Sequence, residues 1–183
     1  MIKITYRKKV IKGEKMDILP YYMNLTGEWD KGDSYDWITD RVAIGDYKSS
    51  YVEFDVVVNL NFPNNCVEYH SIGTAYDGSK TVYAVGIHDK EYESESLSNM
   101  MDQLLPILLH IFMEKPTSRF LFHCRAGISR SVSMATAFMA ETTHSTLHEA
   151  LEQIQRVRPI ALPNIGFMVM LMERNAKNYR TSL

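Results

Sequence analysis

The chain has 183 residues, 45% of them hydrophobic, with a formal net charge of −2 and a pI near 6.3. That length fits one domain large enough to bury a sheet, and the charge argues against a nucleic-acid partner bound through bulk electrostatics. Two cysteines, Cys66 and Cys124, do not suggest a disulfide framework; no signal-peptide core opens the chain, and the most hydrophobic stretch, Leu104 to Met113, is too short to span a bilayer.

Residues 1–34 show no clear periodicity and read as an arm or a first helix with loops. The domain is expected over residues 35–176, followed by a tail over 177–183. Asn61 to Asn65 is a turn cluster, and Asp77-Gly78 between Cys66–Ile72 and Val82–Ile87 suggests a hairpin-like excursion. Leu97, Met101, Leu104, Leu108 and Ile111 recur at helical spacing, with Pro106 predicting a kink or a late helix start. Arg119 to His123 is an apolar run suited to a buried strand, and Val132 to Met139 a small-residue and apolar run suited to a buried helix. Thr146-Leu147-His148-Glu149 is a capping box opening a helix with Leu147, Leu151, Ile154 and Val157 inward, which Pro159 ends. A last helix is predicted from Asn164, as its cap, to about Ala176. This alternation predicts an α/β fold: a central, mostly parallel twisted sheet of about five strands, flanked by helices on both faces of one compact domain.

The chemistry concentrates in His123-Cys124-Arg125-Ala126-Gly127-Ile128-Ser129-Arg130-Ser131. A strand-to-helix turn here can aim the backbone N–H groups from Arg125 to Arg130 inward and add the positive end of the following helix, which makes a cradle for an oxyanion. Gly127 can take a positive φ or let backbone approach a phosphate with no Cβ in the way. Cys124 must be a thiolate to attack phosphorus, yet a free thiol is only a few per cent ionised at pH 7. Each pH unit of pKa lowering takes about 1.4 kcal/mol, and a helix terminus gives about 0.3–2 kcal/mol. Several N–H donors, Arg130 and the Ser131 hydroxyl are therefore expected to share the work. Arg130 can also grip two oxygens of a phosphoryl group with its planar fork, which a lysine could not.

His-Cys-x-x-Gly-x-x-Arg-Ser resembles the signature of the cysteine-dependent protein phosphatases. Arg158-Pro159-Ile160-Ala161-Leu162-Pro163-Asn164-Ile165-Gly166-Phe167 is similar to the segment that follows it in the dual-specificity phosphatases. Ile38–Gly45 and Val56–Leu60 resemble that family's first strands, so the resemblance covers about residues 35–175. Met168-Val169-Met170-Leu171 departs from the Gln-Leu that often follows Gly-Phe, and a local change in helix packing with no loss of chemistry is expected there. The resemblance implies hydrolysis of phosphotyrosine and of phosphoserine or phosphothreonine in a phosphoprotein through a phosphocysteine, with no cofactor, in a reducing compartment: the cytoplasm, or alternatively the nucleus. It also implies a general acid from a loop after the preceding strand. Asp89 follows Val82–Ile87 most closely and is preferred, with Glu91 and Glu93 as rivals on the same loop. A role for Asn164 in steadying the signature loop comes from the same likeness.

Other readings stand beside these. The same chemistry on an RNA 5′-triphosphate or a phosphoinositide is an alternative, and a non-catalytic phosphate-binding module is another. For lipid substrates Arg125 fits and Ile128 and Ser129 do not. His123 is expected to orient the loop by hydrogen bonding. Cys66 reads as core, with a redox partner of Cys124 as the alternative. His144 and His148 have metal-ligand spacing but straddle a helix start and lack a third ligand, so no metal is expected. Arg7, Lys8 and Lys9 read as a solvated charge run, with docking to an acidic kinase surface as the alternative. The sequence carries no signal for the oligomeric state.

Overall fold

The computed structural model describes residues 34–65, 67–76 and 78–181, with side chains through Arg174. The expectations for residues 1–33, Cys66 and Asp77 lie outside the described residues. Short runs of Val, Ile and Phe make the sheet: β1 (Tyr35–Trp37), β2 (Val42–Gly45), β3 (Val56–Asn59), β4 (Ile72–Tyr76), β5 (Thr81–Val85) and β6 (Phe120–His123). They lie in the order β1-β2-β6-β3-β5-β4. The four inner strands are parallel neighbours, and β1 and β4 are antiparallel edges. Every residue of β2, β3 and β6 is buried, as expected of parallel strands covered on both faces. Register aligns Gly45, His123, Asn59 and Ala84 across the carboxyl ends of these strands, the edge where open α/β sheets bind ligands.

Strand alternation divides the core. Val42, Ile44, Val56, Val58, Phe120 and Phe122 face one side, where the helices α1 (Ser94–Glu114), α2 (Arg130–Thr143), α3 (Leu147–Val157) and α4 (Ile165–Thr181) pack. Ala43, Val57, Val82 and Leu121 face the other, closed by Tyr51, Phe54, Tyr35 and Trp37. Residues Arg130 to Met139 of α2 are all buried, so this helix runs through the centre. Its buried Ser133 and Thr136 hydroxyls donate to the carbonyls of Ser129 and Val132, so both are paired within the helix.

The α/β class and the mostly parallel sheet match expectation; the differences are local. The sheet has six strands rather than about five, because Tyr35–Trp37 adds an edge, and among the described residues the helices gather on one face. Residues 38–41 are the turn joining β1 to β2, with the Ile38 and Thr39 N–H groups both on the Val42 carbonyl. The hairpin around Gly78 forms, but its first arm is Ile72–Tyr76: residues 68–71 make a turn closed by the Ser71 N–H on the Glu68 carbonyl, with His70 at φ 55. Helix α1 starts at Ser94 and runs through Pro106, whose exposed position leaves the undonated bond on the solvent side. The capping box of α3 forms as read, while Val157, expected inward, is exposed in the last turn. Asn164 caps α4 by accepting the Phe167 N–H, and the helix continues to Thr181, through most of the expected tail.

Candidate active site

Cys124 follows β6 directly and is 2% exposed. Between it and α2 the chain makes a loop whose carbonyls are each taken from outside the pocket. The Arg125 carbonyl accepts from the Tyr47 N–H, and the Ile128 carbonyl from the Leu162 N–H. The Ala126 and Gly127 carbonyls accept from Arg158, through Nη2 at 3.1 Å and Nε at 2.8 Å. The Ser129 carbonyl accepts from the Ser133 N–H. Carbonyls fixed outward turn the peptide N–H groups inward, which is how a nest for an anion is made. Gly127 sits at φ 65, and a Cβ there would meet Arg158 and the Gly45 carbonyl at 2.6 Å. Glycine is thus required by the left-handed backbone and by the clamp behind the loop.

Inside the nest, the Ser131 hydroxyl donates to Cys124 Sγ at 3.2 Å, and the backbone N–H groups of Ser131 and Ala126 donate to it too. Burial is the largest single influence on this thiol and pushes its pKa up. The three hydrogen bonds and the Arg130 charge together outweigh it, so the pKa falls below the ordinary thiol value. Arg130, 6% exposed, anchors Nη1 on the Phe62 and Ile87 carbonyls at 3.0 and 3.2 Å. Its Nε is buried, makes no hydrogen bond to the described residues, and lies 3.9 Å from Asp89 Oδ2.

Asp89 is placed against this loop by two donors to Oδ1, the Ser129 hydroxyl at 2.6 Å and the Asn164 Nδ2 at 2.8 Å. The Ser129 hydroxyl also accepts the Asn164 N–H at 3.0 Å. The rivals are elsewhere. Glu93 is buried and bonded to His70 at 2.7 Å, and Glu91 packs its backbone against Gly166 at the start of α4.

Behind the cysteine, Asn59 Nδ2 donates to the Tyr51 hydroxyl, which is hydrogen-bonded to His123 Nε2. Burial, the dominant cause, pushes His123 down to about 4, so the ring is neutral at pH 7, and burial likewise pushes the Tyr51 phenol up. A cavity of about 220 Å³ lined by Tyr47, Ser49, Tyr51, Asn59, Asn61, Asn64 and His123 adjoins this side. None of these seven lining residues is a lysine or arginine, whereas the cysteine side holds Arg130.

The model of the dual specificity phosphatase catalytic domain matches residues 39–177. The chain belongs to the dual specificity phosphatases. Protein 123R of Invertebrate iridescent virus 6, assigned as a tyrosine phosphatase, is 32% identical over 120 residues, covering 66% of this chain and 74% of that one. Rat dual specificity protein phosphatase 12 is 47% identical over 47 residues, which is 26% of this chain and 14% of that protein. The fold is shared with human DUSP28, at 17% identity, a TM-score of 0.67 and coverage of 81% and 97% of the two chains. It is also shared with OH1 of the Orf virus, at 18% identity, a TM-score of 0.57 and coverage of 85% and 97%. As a dual specificity phosphatase, the chain is a protein phosphatase enzyme.

The fold brings together Cys124, the loop from Arg125 to Arg130, Ser131, Asp89, His123 and Asn164. Two residues carry more than the sequence suggested. Arg158, 9% exposed, clamps the signature loop to β1 through Asp36 at 2.7 Å, and Ser129 joins the acid loop to α4. Arg158 lies in a quoted motif, but only the fold shows what it holds. Among the described residues no three His, Cys, Asp or Glu side chains are grouped to hold a metal; His148 instead pairs with Glu152 at 3.4 Å. No described helix is long and apolar enough to cross a membrane.

Proposed function

We propose that this phosphatase hydrolyses phosphotyrosine and phosphoserine or phosphothreonine of phosphoproteins through a phosphocysteine on Cys124, in a reducing compartment of the cytoplasm or nucleus. The observation that carries this reading is the enclosure of one sulfur by the Ser131 hydroxyl, two backbone N–H groups and the Arg130 charge. The N–H groups of Arg125 to Arg130 cradle the phosphate oxygens, and the Arg130 fork holds two of them into the transition state. The thiolate attacks phosphorus: the S–P bond forms as the P–O bond to the leaving group breaks, and the leaving oxygen takes the proton of the Asp89 carboxyl. In the second half, water gives a proton to the Asp89 carboxylate and attacks phosphorus, releasing phosphate and the Cys124 thiolate. Ser131 steadies that thiolate as it leaves. Ser129 and Asn164 keep Asp89 over the pocket, and His123 holds the start of the loop.

Cys124→Ser is expected to lose turnover of p-nitrophenyl phosphate while keeping phosphosubstrate bound, because the cradle survives without its nucleophile. Hydrolysis near the wild-type rate by this variant would overturn the assignment. The same variant, used as a trap in the native cell, captures phosphoproteins if the substrate class is right.

A further inference from the structure

An apolar ridge begins in the signature loop itself. Ile128 is 37% exposed, its carbonyl is bonded to the N–H of Leu162, and Leu162 is 63% exposed. Ile165, 61% exposed, follows Asn164, the residue that donates to Asp89. From there Val169 and Met172, 47% and 65% exposed, extend the ridge along α4 at the spacing i, i+4, i+7. Phe167, Met170 and Leu171 of the same helix face the core. The outer stripe is therefore surplus to the packing of α4, at the segment where the sequence departs from the Gln-Leu often found after Gly-Phe. An ordinary surface helix would be polar there.

We propose that this ridge binds a large apolar side chain next to the phosphorylated residue of the substrate, so that the phosphatase selects phosphorylation sites with an apolar neighbour. The inference rests on the phosphoprotein reading above. Position chooses the occupant. A subunit seated permanently on Ile128 would cover the signature loop, whereas a substrate segment covers and leaves it at every turnover. From Ile165 to Met172 the helix advances about 10 Å, the reach of roughly three residues of extended peptide. That matches a few side chains flanking the phosphorylated one.

The test is a set of phosphotyrosine peptides with Leu or Asp placed in turn at each of three positions on either side of the phosphotyrosine, read as kcat/KM. Wild type is expected to favour Leu at one position or more by about tenfold, the worth of one buried side chain. Ile165→Asp with Val169→Asp should lose that preference and keep p-nitrophenyl phosphate turnover, since a small aryl phosphate seated in the signature loop does not extend to these two side chains. That retained turnover also shows that the variant is folded. Equal rates for Leu and Asp peptides, or a preference that survives in the variant, would overturn the proposal. A fall from dimer to monomer in sedimentation with the preference unchanged would assign the ridge to a second copy and overturn it as well. Failure of wild type on p-nitrophenyl phosphate would instead strike the catalytic reading beneath it.

Discussion

The signature loop and the loop that carries Asp89 meet at one pocket but are held in opposite ways. In the signature loop, backbone carbonyls from Arg125 to Ser129 are tied down by Tyr47, Arg158, Leu162 and α2, and the thiol is sealed at 2% exposure. Asp89 keeps a side chain 36% exposed and is steadied through its own Oδ1. The proposed roles account for the contrast. A thiolate that must stay ionised needs fixed donors strong enough to beat its burial. An acid that gives up and regains a proton in each cycle has to remain in touch with water. Rigidity belongs to the charge that persists, and access to the charge that alternates.

Changes aimed at either loop sharpen this contrast. The largest expected effect is from Asp89→Asn, which should slow alkyl phosphates by about 10²–10⁴ while activated aryl phosphates, whose leaving groups need little protonation, lose far less. If Glu91→Gln or Glu93→Gln gives that pattern instead, the acid is misassigned. On the rigid side, Arg158→Ala strips two loop carbonyls and Asp36 of one shared donor, and a loss of about 2–4 kcal/mol in denaturant unfolding is expected. Arg158→Lys should recover little, since one ammonium cannot reproduce the fork. A stable, active Arg158→Ala would show that the loop holds its shape unaided.

A smaller effect concerns the back of the cradle. His123 titrates at about 4 when folded and near 6.5 when unfolded, so the unfolded chain binds the extra proton between those values. The stability linked to this group is complete above about pH 6.5 and is lost as pH falls toward 4, up to about 3 kcal/mol. Wild type should therefore lose more stability than His123→Gln over that window; equal losses would place the ring elsewhere. The smallest effect tests the join: Ser129→Ala removes one of two donors to Asp89, and about a tenfold loss with alkyl phosphates is expected while Cys124 alkylation is unchanged. A parallel loss of thiol reactivity would mean that the two loops are one unit.

Much of the proposed site was legible because the chemistry proposed here asks for Cys124, Gly127, Arg130 and Ser131 within a short stretch of chain, where spacing and resemblance both report it. Asp89 could be ranked above Glu91 and Glu93 for its closeness to β5, and the bonds from Ser129 and Asn164 give that ranking a physical basis. The clamp was not legible. Arg158 and Asp36 are 122 residues apart, and the carbonyls that Arg158 holds leave no trace in side-chain identity. Fold errors have a similar origin. Residues 68–71 carry strand-like neighbours yet form a turn, and the late helix start offered for Pro106 does not occur because that residue faces solvent within a helix that begins at Ser94. The exposed stripe on α4 was visible only as an odd Met-Val-Met-Leu run until the fold showed which of those side chains were buried.

The account depends on Cys124 being a thiolate at neutral pH, and its alkylation rate against pH, followed on the Cys124 peptide by mass spectrometry, tests this most directly. A half-maximal rate at a pH below that of a free cysteine is predicted. A midpoint at or above the free-cysteine value would contradict it.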